Sequence, residues 1–369
     1  MRCPTPCILI LVVAGLLIPG CKSASTSGGD PAGAATDDTE TPSGDDTQSP
    51  PTVSSGGADV EQGDVYVDLY DPEQTCEGTT FMPDLHDPQN PRIIEVDMQG
   101  QVVWEYVIPD DLKQYRDPGM DVEVLEDNRV LLVLPRNGVY EIDRSGTIVW
   151  SHLDEKISHD ADRLPGGNTL YAWGGGDTKD DAQVKEVTPD GELVWSWHAK
   201  DEFDTAPYAD ISREGWTHTN AVTRLPNGNT LVSLRNFNLT VEVNPQEEVV
   251  WQFDWSTLDG DDPHDPEALP NDNLIVCLQH DTPHQVVEID RATGELVWDF
   301  FLDGLRTARD CDRLPNGNTL IQGVLMEGDE SILLEVTQER EIVWQLKLKD
   351  TPATGSPGWF YKAERVCRE

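Results

Sequence analysis

Basic residues are scarce in this chain. Its 26 lysines and arginines stand against 69 aspartates and glutamates, a formal net charge of −43 over 369 residues. Nucleic-acid binding needs clustered positive charge, so this balance argues against that class of function. The apolar run Ile8–Ile18 has only eleven residues, too short to cross a bilayer as a helix but of the length of a signal-peptide core. Aromatic residues are absent from 22–60, a stretch rich in Ser, Thr, Gly, Pro and Asp. Such a segment cannot bury enough surface to offset its ordering entropy, which predicts a disordered tether. The rest is less sparse: with 37% hydrophobic residues overall, a packed core is possible.

Arg2 supplies a charged start to the apolar run, so residues 1–20 read as a signal peptide. The run ends in Ile18-Pro19-Gly20-Cys21, which resembles a bacterial lipobox and implies cleavage before Cys21 and lipidation of its thiol. An ordinary secretory signal, with no special role for Cys21, is the plainer alternative. The expected organisation is a signal peptide over 1–20, a lipidated cysteine and acidic tether over 21–60, and a folded domain over 61–369. The lipid would be its only contact with a membrane, at the periplasmic face, outer membrane or cell surface. Lys22 is not the aspartate of the usual inner-membrane retention signal, which favours the outer membrane. Cys76, Cys277, Cys311 and Cys367 remain, an even number, so disulfides are allowed in an exported chain and three pairings are open.

Two phrases alternate through the folded part. One is RLPGGNTL (163–170), RLPNGNTL (224–231), ALPNDNLI (268–275) and RLPNGNTL (313–320), with a worn copy at 124–131. The other ends in Trp104, Trp150, Trp195, Trp251, Trp298 and Trp344, at separations of 46, 45, 56, 47 and 46. A period in the forties, built from short strands and turn signals, indicates propeller blades. Each repeat supplies four strands, and its Asn-Gly pair suits a tight turn because both residues tolerate positive φ. The tryptophans, one per blade, are expected to pack between neighbouring blades. Six copies of the second phrase but only five of the first suggest a ring closed by the C-terminus. Residues 359–367 resemble the first strand of a repeat and would join Thr79–Met82, Arg92–Asp97 and Gln101–Tyr106 in the first blade. The predicted fold is therefore all-β, a six-bladed propeller with four-stranded blades. This closure brings Cys367 near Cys76 and favours that pairing.

The first strand of a blade is innermost. Counting back five residues from the leucine before each turn gives Met120, His159, Asn220, His264 and Arg309, and the C-terminal strand adds Tyr361. His218, two residues before Asn220, shares its face. If Leu225 pairs with Thr230, Asn220 falls opposite Arg235, which then joins the ring. One mouth of the channel should collect these groups. A polar, hydrated channel is the bland reading. Zinc would want three or four His, Cys or carboxylate ligands, but an arginine beside a cation is unfavourable. His280 and His284 have zinc-like spacing on a loop, and Asp259–Asp265 could attract calcium or simply be solvated; no metal is expected at either. Arginines with imidazole donors make an anion site, and a neutral imidazole within it can act as a nucleophile.

With this ordered set of His, His-x-Asn, Arg and His, residues 77–367 resemble the bacterial aryl-sulfate sulfotransferases, six-bladed propellers of the exported compartment. The resemblance implies transfer of a sulfuryl group from an aryl sulfate to a phenol through a sulfohistidine, without cofactor or nucleotide donor. No phosphate-cradling Gly-rich loop precedes a helix here, in keeping with that. By the same resemblance His264 matches the nucleophile, His218, Asn220 and Arg235 hold the sulfuryl oxygens, and His159 is a further active-site histidine. Arg309 and Tyr361 join them as substrate-binding groups. His218, with His159 as second choice, is the expected proton carrier. Phe203 or Tyr208, in the long insertion at 198–215, could stack an aryl ring.

Two departures stand out. Asp261, Asp262 and Asp265 crowd His264 and are expected to raise its pKa. Cys277-Leu278-Gln279-His280 stands where related sequences often carry Asp-Asn-Gly. A non-catalytic propeller binding an anionic ligand or a protein partner is the alternative. Ala292–Trp298 also resembles repeats of quinone-dependent dehydrogenases and outer-membrane assembly lipoproteins, but those usually have eight blades.

Overall fold

The computed structural model describes residues 64–279, 284–326, 330–348 and 361–368. The readings made above for residues 1–60 and for His280 lie outside this set. The structure contains six antiparallel sheets. From the inside outward, blade 1 is β25 (Glu364–Cys367), β2 (Gly78–Asp84), β3 (Arg92–Asp97) and β4 (Val102–Val107). Blade 2 is β5 (Asp121–Val124), β6 (Val130–Leu134), β7 (Gly138–Ile142) and β8 (Ile148–Leu153). Blade 3 is β9 (Ala161–Arg163), β10 (Thr169–Ala172), β11 (Val184–Val187) and β12 (Leu193–Trp197). Blade 4 is β13 (Thr219–Arg224), β14 (Thr230–Leu234), β15 (Leu239–Val243) and β16 (Val249–Asp254). Blade 5 is β17 (Pro263–Ala268), β18 (Asn273–Leu278), β19 (Val286–Asp290) and β20 (Leu296–Phe300). Blade 6 is β21 (Leu305–Arg313), β22 (Thr319–Leu325), β23 (Ser331–Val336) and β24 (Ile342–Leu348).

The repeated turns work through one backbone position. Gly167, Gly228 and Gly317 have φ of 87°, 89° and 90°, and Asn128 and Asp272 take the same left-handed region in the worn copies. The repeated tryptophans reach across to the next blade. Trp104, Trp150, Trp251 and Trp298 donate Nε1–H to carbonyls of Arg144, Pro189, Arg291 and Gln338. Trp344 donates to Met98 O at 2.9 Å, carrying the pattern from blade 6 back to blade 1.

The ring closes where the sequence indicated. Strand β25 pairs with β2, with Gly78 opposite Cys367 and Phe81 opposite Glu364. Cys76 and Cys367 form a disulfide across a separation of 291 residues, with Cα atoms 5.6 Å apart. Beyond the expected four strands, blade 6 carries a fifth, β1 (Val65–Tyr70), paired outside β24. It lies before the first repeated phrase, so periodicity gave no sign of it. It buries Val343 to 2% exposure, whereas the equivalent Val297 of blade 5 is 53% exposed.

The innermost strands have one edge without a strand partner, and carboxylates satisfy it. Asp121 accepts from Ala161 N, Glu123 from Arg163 N, Glu267 from Arg313 N and Asp310 from Ala363 N, each from the next blade around the ring. The acidic surplus of the chain is thus partly internal. Lys362 stands among these groups, 2.8 Å from Asp265 and in contact with Asp160. Burial opposes its charge, but Asp121, Asp160, Asp265 and Asp310 hold its pKa well above the ordinary value.

Candidate active site

A cavity of about 500 Å³ is lined by His159, His218, Arg235, Gln279, Arg309 and Tyr361, with Trp173 and Glu214 beside them. His264 lies just behind this surface, 1% exposed, at the start of β17. A bulge between His264 and Glu267 and a positive φ at Asp262 and Asp265 shape the strand here. His264 Nδ1 sits 2.8 Å from Asp262 O, a partner that can only accept, so Nδ1 carries the proton. Nε2 is then a lone pair. It receives Gln279 Nε2–H at 3.1 Å and Tyr361 Oη–H at 3.3 Å.

The expectation that neighbouring carboxylates raise the pKa of His264 is corrected by this geometry. The Asp262 carboxylate turns to Arg213, and Asp265 to Lys362. Burial first, then the Arg309 charge, holds the imidazole well below its ordinary range. His264 is neutral.

His218 is held in a left-handed conformation, φ 49°, by Asp177. The Asp177 carboxylate accepts from the backbone N–H groups of Trp216, Thr217 and His218 and from the Thr217 hydroxyl. His218 Nδ1–H donates to Glu214 O at 2.9 Å, leaving Nε2 to accept from Arg235 Nη1 at 3.1 Å. Burial first, then His159 and Arg235, lowers its pKa to about 2. Its cavity-side nitrogen is therefore committed to the guanidinium. Arg235 also donates to Glu214 at 3.1 Å.

His159 is sandwiched between His218, at 5.4 Å, and Tyr361, at 5.2 Å, both rings nearly parallel to it. Arg309 covers Tyr361 at 4.4 Å. His159 Nδ1 meets Gly119 O at 3.3 Å, and an added Cβ at Gly119 would stand 2.0 Å from that nitrogen. Burial lowers its pKa. Of His159, His218 and His264, this leaves His159 as the one whose Nε2 edge has no hydrogen-bond partner among the described residues.

Other expectations change. Leu225 N bonds Asn229 O and Arg224 pairs with Thr230, one residue off the expected register. Asn220 falls in a β-bulge between Thr219 and Ala221, donating to Pro263 O at 3.3 Å, rather than opposite Arg235. Arg235 still reaches the cavity, because Thr219 pairs with Leu234 and Arg235 follows at once in a 3-10 turn. Phe203 and Tyr208 do not line the cavity; they pack with Phe237 and Trp216 between blades 3 and 4. The insertion instead contributes Glu214 and Gly215. Met120 is in an apolar cluster. His284 pairs with Asp299 at 2.7 Å.

Three carboxylates, Asp265, Asp310 and Asp312, have oxygens within 4.8 Å of one another. Asp265 also contacts Lys362, so a cation there already exists in the chain's own ammonium. Sequence reading missed this layer and also missed Gln279 and Asp177. The layer had a signal, an acidic residue at alternate places in the inner strands: Asp121 and Glu123, Asp160 and Asp162, Asp265 and Glu267, Asp310 and Asp312.

Among solved structures, a protein of unknown function from Bacteroides caccae matches with a TM-score of 0.53 at 19% identity, over 73% of this chain and 94% of that one. Virginiamycin B lyase from Staphylococcus aureus matches with a TM-score of 0.48 at 12% identity, over 76% and 88% of the two chains. The first likeness bears on the fold and not on activity. No curated protein matches the chain. The family model described as arylsulfotransferase (ASST) matches residues 65–258, a span that takes in His159, His218, Asn220 and Arg235 and stops short of His264. By this match over more than half its length, the chain belongs to the arylsulfotransferase family.

Proposed function

We propose that this protein is an exported enzyme that moves a sulfuryl group from an aryl sulfate to a phenolic acceptor through a sulfohistidine on His264, with neither cofactor nor nucleotide donor. The observation that carries this reading is the tautomer of His264: its Nδ1–H is tied to Asp262 O, and its Nε2 lone pair meets groups of the cavity wall. In the first half-reaction that lone pair attacks sulfur, and the S–O bond to the aryl group breaks, its electron pair leaving on the phenolate. Arg235 and Arg309 hold the sulfuryl oxygens, with His218 fixing the Arg235 guanidinium. Trp173 and Tyr361 flank the aryl ring. In the second half-reaction His159 Nε2 takes the proton of the incoming phenol. The phenol oxygen attacks sulfur, and the S–N bond breaks to restore the lone pair. His159 takes this role in place of His218 because only its nitrogen is uncommitted.

Incubation with a chromogenic aryl sulfate tests the reading. The wild type should release one equivalent of phenolate rapidly and gain a sulfuryl group on His264, and turn over when a phenol is added. The His264→Ala variant should do neither; a wild type that releases no phenolate refutes the proposal. Tyr361 and Gln279, both resting on Nε2, favour one second reading, an anion-binding propeller that never turns over. Saturable binding of an aryl sulfate without phenolate release would select it. In either case the chain would be lipid-anchored at Cys21 to the cell envelope, tested by lipid labelling that Cys21→Ala abolishes.

A further inference from the structure

Gln279 follows the last residue of β18 and is held on both sides. Its backbone N–H donates to Asp261 O at 3.0 Å, and it forms a bridge with Thr307 at the inner strand of blade 6. Its side chain, 3% exposed as a whole residue, lines the cavity and places Nε2 3.1 Å from His264 Nε2. Because His264 Nδ1 carries the imidazole proton, the amide must present its NH2 and not its oxygen to this lone pair. An N–H so placed has one acceptor now and needs another when the lone pair becomes an N–S bond. The nearest new acceptors are then the sulfuryl oxygens on that same nitrogen.

We propose that the Gln279 amide serves twice in sulfuryl transfer: it aims the His264 lone pair at the cavity, and it passes the same N–H to a sulfuryl oxygen as the N–S bond forms. This rests on the sulfuryl-transfer reading. No proton moves to or from Gln279, so the balance of each half-reaction is unchanged. The residue stands where the chain departs from Asp-Asn-Gly, and it joins His264 from the second strand of the same blade.

Two variants of equal side-chain length test it, with circular dichroism and melting used to check the fold. Gln279→Met removes the donor. It should load sulfuryl from 4-nitrophenyl sulfate roughly 100-fold more slowly at saturation, with KM little changed. Gln279→Glu replaces the donor by an acceptor of a proton. Nitrogen-15 NMR of the imidazoles should show His264 charged at neutral pH in this variant and neutral in the wild type. In the wild type, Nε2 of His264 should report an acceptor nitrogen. A protonated Nε2, or a Glu variant titrating as the wild type does, overturns the aiming role whatever the activity. Loading by the Met variant at the wild-type rate overturns the second role. If the NMR results hold but the wild type never loads, the fault lies with the sulfuryl reading, and the oxygen-donor role falls with it.

Discussion

At the scale of single residues, the site is made of histidines that look alike in sequence and differ in what their second nitrogen meets. His264 Nε2 meets two donors, His218 Nε2 a guanidinium, and His159 Nε2 the cavity. Counting back from the turn found His159 and His264 because both stand five residues before the leucine that precedes the turn. It did not find Gln279 or Asp177, which stand outside the repeated phrases. The distinction of roles has a test in Gly119→Ala. The added methyl would lie 2.0 Å from His159 Nδ1, so the ring must shift. A misplacement of this kind should slow transfer to the phenol by roughly 100-fold. Loading of His264 should change far less, and single-turnover measurement of the two half-reactions separates them.

At the scale of elements, the last strand holds the ring shut. Strand β25 brings Tyr361 and Lys362 to the axis and carries Cys367 to Cys76. Loss of that cross-link, as in Cys76→Ser, frees the ends of a very long loop in the unfolded chain. It should lower the unfolding free energy by about 2–5 kcal/mol, read from urea denaturation of oxidised wild type and variant. Cys277 and Cys311 should behave differently. Both are buried free thiols, and burial pushes Cys277 up to about 11. Little thiolate forms, so neither should react with iodoacetamide until the protein unfolds, as peptide mapping before and after denaturation would show. Strands β1 and β25 contrast in legibility. The second copies the repeat phrase, while the first copies nothing and was found only where it pairs.

At the scale of the whole molecule, the axis is a column of carboxyl groups around one lysine. Burial raises the pKa of Glu123 and Glu267 to about 7 and of Glu364 to about 8, and pushes Asp162 and Asp312 well up. These groups keep protons in the folded state that the unfolded chain has already released. Their stabilisation is complete below the ordinary carboxyl range and is lost as pH rises through the folded values. The depressed histidines, His152, His159, His218 and His264, act oppositely, losing stability as pH falls below their ordinary 6.5. Above pH 6.5 the carboxyl groups dominate, and His86, whose pKa is raised by Asp84, acts in the same direction, so melting temperature should fall steadily through pH 8. Added salt should change the fall little, because the groups are buried and salt screens buried charges weakly. Lys362→Met, which removes the central cation, should steepen it. A flat profile across this range in thermal melts would refute the account.

The sequence by itself determined the blade number and the closing strand, because both follow from a period repeated six times. Tertiary structure alone decided which ring nitrogen of each imidazole is engaged and which is open to the cavity. This depends on the atom opposite each ring nitrogen, and that atom comes from another strand or blade: Tyr361 for His264, Arg235 for His218 and Gly119 for His159. The same cause hid the buried acidic column, since a carboxylate on an inner strand and one on a solvated loop read alike until the strands close around a common axis.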